Sequence, residues 1–284
     1  MNVLVQHSTV YHYPCAVQLE PHTFRLRPRM TTTQRLLEFQ LNILPTPGGT
    51  TESLDQDGNL ALRAWFGAPT EVLSVQSNFQ VELIRGNPFD FLIRDDSLSL
   101  SLHYPEPLDA ALAPYRNQGH IREKVNDYAK SIATSAQWNT LAFLTNLSRQ
   151  MFSAFRQVAR PEGPPWTSFE TLSRLEGSCR DLAVLFCDCC RVVGIAARFV
   201  SGYECASAGA AHPYLHAWAE AYLPGAGWRG YDPSRGLVVA DTHVTVAAAV
   251  DPALASPVAG AYSGGWESRM ETTLLMQLKQ GLSA

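Results

Sequence analysis

The hydrophobic period of this chain changes once along its length, and that change limits the folds open to it. Leu37, Phe39, Leu41 and Ile43 alternate with Glu38, Gln40 and Asn42, the pattern of a strand with one buried face. Leu60, Leu62, Ala64 and Phe66 repeat it, as do Phe79, Val81 and Leu83. Turn-forming residues separate the runs: Pro45 to Gly49, the Asp57-Gly58 pair, and Gly67 to Pro69. After Pro105 the spacing lengthens, with Ile121, Val125, Tyr128, Ala129 and Ile132 on one helical stripe and Leu144, Leu147, Met151 and Phe155 on another. Thr167 and Glu170 then give a capping-box signature for a short helix. The pattern predicts an α+β chain. An antiparallel sandwich or barrel-like β domain occupies residues 1–110, and an α+β domain ending in a β tail occupies 111–284.

The chain has 284 residues, a length that suits two modest domains. With 46% hydrophobic and 17% charged residues it is too apolar for disorder, yet no run reaches the roughly 18 uncharged apolar residues a membrane span needs. The 22 Lys and Arg against 26 Asp and Glu leave a net charge of −4, and the cations are scattered. A dedicated nucleic-acid or anionic-lipid surface is therefore not expected. The first residues, MNVLVQHSTVYHYP, alternate like a strand and lack the basic head and apolar core of a secretory signal. Six cysteines, three crowded at Cys187, Cys189 and Cys190, do not resemble a disulfide framework, so a reducing, cytoplasmic setting is expected.

Chemistry gathers in the second half. Gly177 or Ser178 can cap a helix that starts near Cys179, carries Leu182, Leu185, Phe186, Cys189 and Val193 on one stripe, and ends at Gly194. Cys179 then points inward at the positive helix end, where aligned peptide dipoles and free amides favour a thiolate. Ile195 to Tyr203 reads as a strand. His216 to Leu223 alternates again, with His216, Trp218, Glu220 and Tyr222 on one face, and Pro224 to Gly227 turns the chain into Trp228 to Asp232. If Tyr222 pairs with Trp228, Asp232 lies opposite Trp218 and diagonal to His216 on the same face, within side-chain reach. A helix-start cysteine, a histidine and an aspartate then supply a nucleophile (Cys179), a base (His216) and an orienter (Asp232) for acyl transfer through a thioester.

The run Gly177-Ser178-Cys179-Arg180-Asp181, the string Ala197 to Tyr203, the triplet His216-Ala217-Trp218, and Trp228, Tyr231, Asp232 and Pro233 closely resemble the transglutaminase-like superfamily. The whole chain is similar to the bacterial transglutaminase-like cysteine peptidases, in which an N-terminal β domain precedes a papain-like core. The resemblance implies that Cys179, His216 and Asp232 match the triad positions and that Asp241 to Val246 and the Pro257 to Gly264 region belong to the family's C-terminal tail. It implies cross-linkers, peptidases, amidases or members without activity. Ala219, Ala221 and Tyr231 stand where many relatives have Val, Val and Phe, changes that concern packing alone.

Other features carry less. Cys187, Asp188, Cys189 and Cys190 are spaced poorly for zinc and read as packing, so neither a metal nor a cofactor is expected. Arg180 and Asp181 read as braces of the helix start. Trp218 reads either as a water shield for the site or as core, and His212 as a pocket residue or a solvated one. The reading is a cysteine peptidase or amidase acting on a peptide or protein. Protein-glutamine transamidation and an inactive binding module are the alternatives.

Overall fold

A strand with one apolar face needs a second layer to cover it, and the first part of the chain supplies both layers. The computed structural model describes residues 1–160, 163–205, 215–264 and 267–279. Strands β1 (Asn2–Val17), β2 (His22–Phe24), β3 (Gln34–Leu44), β4 (Gly49–Leu54), β5 (Leu60–Trp65) and β6 (Thr70–Leu83) divide between two antiparallel sheets. One holds β1, β6 and β3 in that order, and the other β2, β5 and β4. Tyr13, Phe24, Ala64, Phe66, Leu73 and Val75 fill the space between them.

The alternation read in β3 holds from Phe39 onward. Before it, the pairing of β3 with β6 slips between Leu36 and Glu38. This bulge turns Leu36 inward and leaves Leu37 43% exposed, whereas a regular strand would have buried Leu37 with Phe39.

Helices α1 (Leu108–Leu112), α2 (Glu123–Ser135), α3 (Thr140–Ala154), α4 (Ser168–Arg174) and α5 (Cys179–Val192) follow. Val125, Ala129 and Ile132 of α2 and Leu144, Leu147 and Met151 of α3 are buried, as their spacing predicts. A two-residue parallel pair, β7 (Arg156–Gln157) with β8 (Glu176–Gly177), ties the end of α3 to the start of α5. Thr167 caps α4 and closes the capping box with Glu170.

Five strands form the core sheet: β9 (Ala197–Glu204), β10 (His216–Leu223), β11 (Gly227–Asp232), β12 (Leu237–Val238) and β13 (His243–Ala249), in the order β12-β11-β10-β9-β13. Helix α5 lies across it. Ala197, Ala219 and Ala221 present almost no side chain, so Leu182, Leu185 and Phe186 pack closely on the sheet in one buried cluster.

The chain then returns to where it began. β14 (Val258–Ala259) joins β2, and β15 (Arg269–Lys279) pairs with β1 along its length. The first sheet is thus built from both ends of the chain. Val3, Val5, Phe79 and Val81 of that sheet pack against Tyr203, Val244 and Val246 of the core. Among the described residues, no helix is long and apolar enough to cross a membrane. The architecture is α+β, as the change of period predicts.

Candidate active site

Cys179 is the first residue of α5. Ser178 caps the helix, its N–H and hydroxyl both donating to Asp181 Oδ2 at 2.7 and 2.8 Å. Asp181 Oδ1 accepts from the Trp166 N–H at 2.7 Å and from the Arg160 guanidinium. One fully buried carboxylate therefore pins the segment before α4 against the helix start. Arg160 and Arg174 cover Trp166, their guanidinium carbons 4.2 and 4.6 Å from its ring. At Gly177 a Cβ would sit 2.8 Å from that of Asp181, so only glycine lets the chain turn into the helix this closely. At the far end, Gly194 takes the left-handed conformation expected after a helix.

β10 and β11 pair with Tyr222 opposite Trp228 and Ala219 opposite Tyr231. This is the register assumed from the sequence, and it brings the histidine and aspartate together. His216 Nε2 donates to Asp232 Oδ2 at 2.6 Å. The thiol of Cys179 is hydrogen-bonded to His216 and to the Ala217 N–H. Since Nε2 is engaged by Asp232, Nδ1 is the ring atom left for the sulfur. The structure thus brings all three sequence-predicted site residues into one continuous contact.

The electrostatics follow from those contacts. Burial pushes the Cys179 thiol up, but hydrogen bonding and charge from His216 outweigh it and hold the thiol below its ordinary value. Burial works against the His216 cation as well. The Asp232 and Cys179 hydrogen bonds overcome it and raise the imidazole to about 10. Asp232 is desolvated too, yet its two histidine partners keep it well below the usual carboxylate range. The other helix thiols behave oppositely: burial pushes Cys187 up to about 12 and holds Cys189 and Cys190 well above the ordinary thiol value.

Sequence reasoning missed two parts of this site. Asp232 Oδ1 accepts from the N–H and hydroxyl of Ser234 at 2.9 and 2.8 Å, closing a turn that a D-P-S sequence could have signalled. His243, from β13, reaches the same carboxylate with Nε2 3.0 Å from Oδ2. Its only signal is a histidine at the head of a strand otherwise built of valine, alanine and one threonine. His216, Asp232 and His243 converge closely enough to be compared with a metal centre. Their direct contacts, at 2.6 and 3.0 Å, are hydrogen-bond distances.

Trp218 is fully buried. Its ring stacks beside His216, 6.2 Å between centroids, and meets His243 edge-on at 4.9 Å. Asp188 holds His120 and Arg191 at 3.1 and 2.9 Å, and Cys187, Cys189 and Cys190 pack in the core. His212 lies outside the described residues.

The site opens into a cleft of about 1490 Å³. One wall is α5 and its neighbours. The other comes from the first sheet, where His7, Thr9 and Tyr11 of β1 and Thr272, Leu274 and Met276 of β15 face the cleft.

Residues 3–82 match the bacterial transglutaminase-like N-terminal region, and residues 126–233 match the transglutaminase-like superfamily. Similar chains include an uncharacterized protein of Mycobacterium tuberculosis, 25% identical over 270 residues that cover 90% of this chain and 86% of the relative. Another, from Mycobacterium leprae, is 24% identical over 273 residues and 92% of each chain. A crystal structure from Cytophaga hutchinsonii, described as a candidate cysteine protease, superposes with a TM-score of 0.73 at 20% identity, over 99% of this chain and 92% of that one. The shared fold reaches from the first sheet through the core to the returning strand, and the chain belongs to the transglutaminase-like superfamily, with the bacterial transglutaminase-like N-terminal region ahead of the superfamily core.

Proposed function

We propose that the protein is a cysteine peptidase or amidase that opens a peptide or isopeptide amide through a thioester on Cys179. The observation that carries this reading is the unbroken contact from Cys179 through His216 to Asp232 at the N-terminus of α5. The thiolate attacks the carbonyl carbon. The developing oxyanion is met by the Cys179 N–H, which lies in the first helical turn and has no acceptor within the helix. His216 gives its proton to the leaving nitrogen as the C–N bond breaks, and an acyl thioester remains. Water then attacks that thioester and surrenders a proton to His216, the carboxylic acid leaves, and the thiolate is restored. Asp232 stays ionised throughout and holds the imidazole in the productive orientation.

A cleft of about 1490 Å³ exceeds the several hundred Å³ typical of small-molecule sites and suits a stretch of polypeptide. All six cysteines are unpaired, which accords with a reducing, cytoplasmic setting.

The test is product mass. Wild type and Cys179→Ala are incubated with a peptide library, with and without a primary amine. Cys179-dependent products lighter than the parent peptide by a hydrolysed fragment support the peptidase. Products carrying the added amine in place of water make it a transamidase. The absence of any Cys179-dependent product overturns the enzyme reading in favour of a binding module.

A further inference from the structure

We infer that His243 is a positioning residue of the triad, a fourth member that holds the Asp232 carboxylate in line with His216. The inference rests on the triad reading above.

Asp232 is completely buried, and a buried carboxylate needs donors for its lone pairs. Four are present. Ser234 supplies two to Oδ1, while His216 and His243 share Oδ2 at 2.6 and 3.0 Å. In the proposed reaction His216 must hand its proton to the leaving group and take one back, so its hydrogen bond to Asp232 weakens and strengthens within each turnover. His243 touches neither the thiol nor the cleft, and its grip on Oδ2 does not change with the chemistry. It therefore fixes the carboxylate plane while His216 cycles.

The surroundings of His243 suit a constant, uncharged donor. Burial lowers its proton affinity, and the charge of His216 nearby works in the same direction. The Thr242 hydroxyl is 2.8 Å from Nδ1. When that hydroxyl donates, Nδ1 is an acceptor and the single ring proton sits on Nε2, aimed at Asp232. The charged and titratable groups around it are Asp232 on β11, His216 on β10, and Glu204, directly opposite it on β9 and itself paired with Arg235 at 2.6 Å. A neutral His243 leaves the negative charge of Asp232 for His216 alone. A protonated one would compete for it.

The competing view is that His243 only fills space under Trp218, and a variant pair separates the two. His243→Leu removes the donor while keeping apolar bulk. His243→Gln places an amide N–H close to the position of Nε2. The readout is the pH profile of Cys179 alkylation by iodoacetamide, followed by mass on the Cys179 peptide, which needs no substrate. In His243→Leu the profile moves towards alkaline pH, with labelling near pH 6 slowed roughly tenfold, the equivalent of one unit in the apparent thiol value. In His243→Gln it returns most of the way to wild type. An unchanged profile in His243→Leu overturns the inference, as does an equal shift in both variants accompanied by an equal loss of melting temperature. If His243→Leu does not fold, Thr242→Val takes its place. It keeps the ring but frees its tautomer, and it must shift the profile in the same direction. Should wild type itself show no preferential labelling of Cys179, the triad reading fails and this inference falls with it, a result distinct from an activated wild type that His243→Leu leaves untouched.

Discussion

At the scale of the residue, what separates Cys179 from the three other thiols of α5 is which side of the desolvation balance each falls on. All four thiols of α5 lose water. Only Cys179 recovers the cost, from an imidazole and a backbone N–H at the positive helix end. Iodoacetamide reacts with thiolates, so Cys179 should be alkylated well below the free-thiol value of about 8.5. Cys187, pushed up to about 12, and Cys189 and Cys190, raised well above the ordinary thiol value, should stay inert until the protein unfolds. Turnover has a second limit. The leaving nitrogen needs the His216 proton, which is present below about 10 and lost above it. Activity should therefore rise as Cys179 ionises and fall again near pH 10, while alkylation rises on the same acid limb and shows no alkaline fall. Parallel pH profiles of the two rates check this, and labelling of all the α5 thiols alike would refute the activated thiolate. The convergence of Cys179, His216 and Asp232 was legible in the sequence because a helix start and a hairpin are local structures whose geometry can be counted out. His243 was not. It reaches Asp232 across β9 and β10 from the far edge strand of the core sheet, and no local pattern encodes that approach.

At the scale of the element, the core sheet shows how much a strand depends on neighbours that its own sequence does not name. The β10–β11 register was legible because Pro224 to Gly227 fix the turn and the alternation fixes the faces. The bulge in β3 was not, because Leu36 and Leu37 are adjacent leucines and only the pairing with β6 decides which one turns inward. Gly202 in β9 belongs to the same class. Its own φ carries no special demand, but a Cβ there would lie 2.0 Å from the Val244 carbonyl oxygen and 2.7 Å from the Trp218 ring. Both β13 and the tryptophan beside the two histidines must move, or β9 must shift away from them. Overpacking of this kind costs about 1–3 kcal/mol. Gly202→Ala should lower the urea midpoint accordingly and depress Cys179 alkylation by disturbing Trp218, His216 and His243 together. Gly67→Ala, where nothing lies within 4 Å of the added carbon, is the control and should change stability by no more than about 0.5 kcal/mol. Equal effects of the two substitutions would show that the crowding at Gly202 is relieved without consequence.

At the scale of the whole molecule, the question is what makes the first sheet a fixed wall of the cleft. The apolar contact of Val3, Val5 and Phe79 with Tyr203 and Val244 supplies area without direction. Direction comes from two amide side chains. β13 is an edge strand, and its outward peptide groups meet no further strand. Instead Gln34 donates to the Thr245 carbonyl at 2.8 Å and accepts from the Thr245 N–H at 2.8 Å. Asn59 does the same at Ala248, with distances of 2.8 and 2.9 Å. Each amide presents one donor and one acceptor, as a neighbouring peptide would, so the pair imitates two rungs of a missing strand and covers the edge. This was beyond the sequence for the same reason as the return of β15 to β1: both join segments some two hundred or more residues apart, and hydrophobic periodicity reports only what lies within a few turns. Leucine at either position is close in size but strands buried peptide groups of β13: at Gln34 the N–H of Thr245, whose carbonyl still accepts from the Arg29 N–H at 3.0 Å, and at Asn59 both the N–H and the C=O of Ala248, at about 1–3 kcal/mol for each group. Gln34→Leu and Asn59→Leu should each lower unfolding free energy by about 2 kcal/mol or more in urea titrations. Because both act on one docking event, the double variant should lose less than the sum of the two. In it the wall of the cleft is released while α5, β10 and β11 keep their contacts, so a bulky maleimide should reach Cys179 faster than in wild type even as small iodoacetamide reacts at the same rate. Strict additivity together with unchanged maleimide access would mean that the apolar contact alone holds the sheet in place and that the amides merely satisfy an edge.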